Sequence, residues 1–212
     1  MEKLRDFGII PLRYGVISNL LQSYKYPKNK VTTMEKKGEL IRLKKGLYVV
    51  SPEISKQNLS KNLISNHLYG PSYVSLETAL SYYGLIPERT ITTYALTAKR
   101  KKTYQTPLGN FEYLSIPSQY FSIGIRQQTQ NMEYAFLIAS PEKALCDLII
   151  TRAGIRFQSM KAIKNFLLED MRFDLQTIAN WDVSIIDQCI GVGYKNNELK
   201  LLKKYIQDEN GI

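Results

Sequence analysis

The chain has 212 residues, enough for one large domain or two smaller ones with an ample core. It is 44% hydrophobic and 23% charged, and no apolar run approaches the roughly 20 residues of a membrane span. One histidine and two cysteines exclude a disulfide framework and a histidine-based metal cluster, while a net charge of +10 points to a polyanionic partner.

The distribution of charge is more telling than its sum. Residues 1–50 hold 11 Lys/Arg against 4 Asp/Glu; the rest hold 18 against 15. The opening MEKLRDFGII mixes acids with bases and lacks a long apolar core, so no secretory signal is expected. A cytoplasmic protein with reduced, buried Cys146 and Cys189 is expected.

Residues 1–10 read as a short helix or arm. Over 11–22, Pro11 suits a first helical turn, and Leu12, Val16, Ile17, Leu20 and Leu21 share one helical face. Residues 24–29 form a turn broken by Pro27. Residues 28–39 predict a second helix with Val31 and Met34 inward, ended by Gly38. A hairpin follows: strand 40–43, turn Lys44-Lys45-Gly46, strand 47–50.

A basic helix running into a basic hairpin is the second half of a winged helix-turn-helix, which predicts binding to double-stranded DNA. Asn29, Thr32 and Thr33 are the expected base-edge readers. Lys28, Lys30, Lys36, Lys37, Arg42, Lys44 and Lys45 are the expected phosphate contacts.

Beyond Ser51-Pro52, a helix is predicted over 58–68, with Leu59, Leu63, Ile64 and His67 near one face. Ser75 reads as the cap of a helix running to Tyr83. Residues 90–139 are strand-rich: 92–98, a hairpin of 103–106 and 110–116, then 120–126 and 132–138. They predict an antiparallel sheet of four to five strands. Ser140-Pro141-Glu142 starts another helix, with Ala144, Leu145, Leu148 and Ile149 buried. More helices are expected near 159–168, 174–180, 184–190 and 196–207. The fold class is therefore α+β, with a DNA-binding domain over 1–52 and a larger domain over 53–212 (sheet 90–139, helical 140–212).

Catalytic chemistry finds little footing. His67 reads as a core or boundary residue, and Cys146 and Cys189 as isolated small apolar ones. No nucleophile elbow, phosphate loop or metal-spacing motif occurs, so no enzyme activity, cofactor or metal is expected. A second basic run, Lys99-Arg100-Lys101-Lys102, sits between two predicted strands. It suits either a nucleic-acid backbone or a solvated turn. The 15 tyrosines fall mostly in strands and amphipathic helices and read as packing residues.

Four strings stand in a familiar order: GELIRLKKGLYVV (38–50), SYVSLETALSYYGLIPE (72–88), TPLGNFEYLSI (106–116) and IASPEKALCDLI (138–149). With them the chain, over about 28–150, resembles the AbiEi antitoxins of the AbiE abortive-infection systems, which are type IV toxin–antitoxin pairs. The resemblance implies an N-terminal winged helix-turn-helix that represses its own operon at inverted-repeat promoter DNA, and a C-terminal antitoxin domain active in phage defence. It also implies a nucleotidyltransferase toxin as functional partner, without a stable complex, and no membrane. Its DNA-reading helix and wing correspond to 28–37 and 42–45. Two other classes remain open: an RNA-directed enzyme or regulator using the central sheet, with Asp147 among its acids, and a protein that binds a toxin directly.

Overall fold

A computed structural model describes residues 2–209; residue 1 of the predicted arm and 210–212 of the predicted helical region lie outside the described residues. The fold is α+β. In chain order the N-terminal elements are α1 (Glu2–Arg5), β1 (Leu12–Arg13), α2 (Tyr14–Leu20), α3 (Pro27–Lys36), β2 (Leu40–Lys44) and β3 (Leu47–Val50). There follow α4 (Pro52–Ser55), α5 (Lys61–Leu68), β4 (Tyr73–Val74), α6 (Leu76–Tyr82), β5 (Thr92–Thr97), β6 (Lys102–Thr106) and β7 (Gly109–Ser115). The chain continues through α7 (Ser118–Phe121), β8 (Ile125–Gln130), β9 (Tyr134–Ala139), α8 (Pro141–Thr151), α9 (Met160–Asn165), α10 (Val183–Gly191) and α11 (Asn196–Glu209). A π-helical turn (Phe166–Asp170) and a 3-10 turn (Leu175–Asn180) lie between α9 and α10. Among the described residues, no helix is long and apolar enough to cross a membrane.

Two sheets organise the chain. The smaller has the order β1-β3-β2, all antiparallel. Pro11 does not open a helix, as the sequence predicts, but leads into the edge strand β1, where a missing N–H is equally harmless. The helix begins only at Tyr14, and Val16 is exposed rather than inward. Leu4, Leu12, Ile17 and Leu21 meet Val31 and Met34 of α3, and Leu40, Tyr48 and Val50 of the hairpin, in one apolar cluster.

The larger sheet has six strands in the order β6-β7-β5-β4-β9-β8. The expectation of an antiparallel sheet is corrected: β5 pairs with β7 in parallel, and so does β4 with β9. The β6–β7 hairpin folds back so that β7, not β6, lies beside β5. Alternating side chains look the same in either orientation, so the sequence pattern does not carry this distinction. The predicted strand over 120–126 is also displaced. Tyr120 belongs to α7 and is buried, and β8 starts only at Ile125.

Helices α5, α6 and α8 pack on the large sheet, and α9 to α11 gather around α8 in the same apolar cluster. Ser140 Oγ accepts from Lys143 N at 3.3 Å, Pro141 is first in α8 and Glu142 lies in its first turn, as the sequence predicts. Ser75 precedes α6 but makes no capping bond; its hydroxyl turns to Asp147 instead. Cys146 and Cys189 are buried but not isolated. Their interaction across α8 and α10, with burial, raises the pKa of the Cys146 thiol, and the same interaction lowers that of Cys189.

The two units share a third apolar cluster. Strand β3 is buried at all four positions because both its faces are covered. Tyr48 and Val50 face the N-terminal core. Leu47 and Val49, with Leu43, face Ile64, Leu68, Ala95, Phe111 and Tyr113 of the larger unit. The expected boundary at 52/53 falls just after the first residue of α4, two residues beyond the end of β3.

Candidate nucleic-acid interface

Helix α3 is held from below. Pro27 occupies its first turn, Val31 and Met34 are buried, and Gly38 leaves the helix with φ +71°. With 31 and 34 inward, the 3.6-residue period presents Lys28, Asn29, Thr32, Thr33, Lys36 and Lys37 to solvent. The structure therefore brings most of the predicted contacts onto one face.

The threonines are partly committed. Thr32 Oγ1 donates to Lys28 O at 3.1 Å, and Thr33 Oγ1 donates to Asn29 O at 2.9 Å. Their hydroxyl protons are used within the helix, leaving acceptor lone pairs and methyl groups outward. Such a surface is chemically complementary to a hydrogen-bond donor or a methyl group. Lys30 is off this face, half-buried with its ammonium 5.0 Å from the Tyr24 ring centre. Lys25 lies 5.5 Å over Tyr26 in the same turn.

The hairpin stands beside α3. Tyr14 N donates to Gly46 O at 2.9 Å and fixes the hairpin turn against the start of α2. Gly46 takes φ +78°, a conformation that a side chain disfavours. Between α3 and the hairpin is a concave surface of about 850 Å³, bordered by Lys28, Thr32, Lys36, Arg42 and Lys45, with Tyr14 and Tyr48 in its walls. Glu35 borders it too, and Glu35 Oε1 lies 3.9 Å from Arg42 Nη1.

Lys44 departs from its predicted role. A shift of register between Arg42 and Lys44 turns it away from Lys45. Its ammonium donates to the carbonyl of Leu68 and lies 5.6 Å over Tyr104, both in the larger unit. Burial, with Lys102, Arg13 and Lys99 close by, pushes this ammonium below the ordinary lysine value.

The same neighbours locate the second basic run. Lys99, Arg100, Lys101 and Lys102 are all exposed. Lys99 Nζ donates to Gly70 O at 2.5 Å and lies over Tyr69, while Lys102 lies over Tyr104. Strand β6 abuts β2, so this run continues the basic surface from the hairpin. Arg13 lies at the junction, electrostatically coupled to both Lys44 and His67. Sequence reasoning missed Arg13 and Glu35 as members of this surface. Arg13 lies far from the basic runs in sequence, and Glu35 is an acid among bases.

The remaining polar candidates do not form a second site. His67 is exposed on α5, not buried, and burial of part of its ring together with Arg13 holds its pKa below the usual value. Asp147 is fully buried among Ser75, Lys143 and Tyr73, closed to any substrate. Among the described residues, no three His, Cys, Asp or Glu side chains converge as a metal site requires. No protein-family model matches the chain, and no curated protein matches it.

Proposed function

We propose that this chain is a double-stranded-DNA-binding repressor whose N-terminal unit is a winged helix-turn-helix. The order α1, β1, α2, α3, β2, β3 supports this reading, with α2 and α3 as the helix pair, α3 as the reading helix and β2–β3 as the wing. The observation that carries it is the solvent face of α3, where Asn29, Thr32 and Thr33 lie between Lys28, Lys36 and Lys37, next to Arg42 and Lys45. Short polar side chains framed by cations match a major groove: bases at its floor and phosphates at its rims.

The antitoxin part of the proposal rests on the resemblance of the four strings to AbiEi proteins. On that reading the chain binds inverted repeats in its own promoter and counters a nucleotidyltransferase toxin without a stable complex. It has no catalytic chemistry of its own. The run 99–102 extends the backbone-gripping surface beyond the wing. Footprinting on the DNA upstream of the protein's own reading frame tests the repressor role, with protection of two symmetric half-sites expected. Co-expression with a nucleotidyltransferase encoded beside it tests the antitoxin role, with growth restored. Absence of any protected DNA overturns the first, and undiminished toxicity overturns the second.

A further inference from the structure

We infer that Glu35 is a specificity-determining residue, reading a base edge from α3; this rests on the DNA-binding reading above. A surface that only gripped phosphates would carry no carboxylate, because each phosphate brought near it is repelled. Glu35 is nevertheless the one acid bordering the cleft between α3 and the hairpin among the described residues, with Lys28, Lys36, Arg42 and Lys45 around it.

Three features fit a base contact. Glu35 is three residues from Thr32, so the two side chains are neighbours on the same side of the helix. Its side chain is 35% exposed, and its contact with Arg42 at 3.9 Å is longer than a hydrogen bond. The carboxylate thus retains lone pairs to accept from a ligand while Arg42 offsets its charge. Of the two amino donors in a major groove, cytosine N4 suits a carboxylate better than adenine N6, whose neighbouring N7 acceptor repels it. Against a random phosphate the same carboxylate is unfavourable, so it weakens non-specific docking while supporting one sequence.

The test uses full-length wild-type and Glu35→Gln proteins, each used to enrich duplexes from a randomised pool. Both are then titrated with the wild-type-selected duplex and a scrambled duplex. Cytosine at one position of the wild-type site is expected to change to adenine in the variant's site, since glutamine pairs with adenine N6 and N7. The variant is expected to bind scrambled DNA more tightly, and its discrimination to fall about 10- to 100-fold. The same selected sequence and equal discrimination in both proteins overturn the role of Glu35 and leave the DNA-binding reading intact. A parallel fall in both affinities, with a lower melting temperature, also overturns it, because the residue then only ties α3 to the hairpin. If the wild-type protein enriches no duplex, the DNA-binding reading itself fails, and this inference with it.

Discussion

Ser75 Oγ donates a 2.6 Å hydrogen bond to Asp147 Oδ2, joining the start of α6 to the middle of α8. The other carboxylate oxygen takes Lys143 Nζ at 2.5 Å, and that ammonium also donates to the Tyr73 hydroxyl at 2.9 Å. All four residues are fully buried. Asp147→Ala leaves the Lys143 charge buried without its counter-ion, and a destabilisation of about 3–5 kcal/mol is expected from denaturant unfolding. Removing both charges, as Lys143→Met with Asp147→Leu, is expected to recover most of that loss. A single variant as stable as the wild type would show that the pair does not hold these helices together.

Lys44, the last residue of β2, and Lys45, in the turn that follows, are expected to behave differently. Lys45 is exposed at the cleft, whereas Lys44 is held against the Leu68 carbonyl of the larger unit. Lys45→Ala should lower the slope of log affinity against log salt by about 0.9, the value of one lost phosphate contact. Lys44→Ala should leave that slope nearly unchanged and instead lower thermal stability. Equal slope changes in the two variants would place Lys44 at the DNA.

The N-terminal unit is not expected to stand alone. Leu43, Leu47 and Val49 are buried against Ile64, Leu68 and Phe111, and a fragment ending at residue 57 returns them to water. Each such side chain loses about 1.5–3 kcal/mol of burial free energy as an upper estimate. Circular dichroism and thermal melting of that fragment should show a broad, weak transition or aggregation. A sharp transition near that of the full chain would mean that the shared cluster adds little.

Alkaline pH should report on the tyrosine core. Burial holds the phenols of Tyr73, Tyr113 and Tyr120 well above their ordinary value, and pushes Tyr83 up to about 12. These groups ionise more readily in the unfolded chain, so their contribution to stability is complete below pH about 10 and is lost as pH rises past it. Ultraviolet titration of the 15 tyrosines should show an exposed class ionising first and a second class ionising only as the fold is lost. One uniform transition near the ordinary tyrosine value would contradict the burial.

The sequence by itself determined the local elements. Proline, glycine and capping residues place the start of α8, the end of α3 and the β2–β3 turn within a few residues, because these signals act through neighbouring backbone atoms. It also determined which residues of α3 face solvent, since Val31 and Met34 fix the helical phase. Tertiary structure decided everything that depends on what lies opposite. Parallel pairing of β5 with β7, the diversion of Ser75 from cap to carboxylate partner, and the turning of Lys44 away from Lys45 are contacts over long sequence separations. So is the merging of Arg13, Lys44 and the 99–102 run into one basic surface. A charge in a sequence has no direction until packing gives it one, and here packing of β2 against β6 separates Lys44, held by a carbonyl of the larger unit, from Lys45, left in solvent.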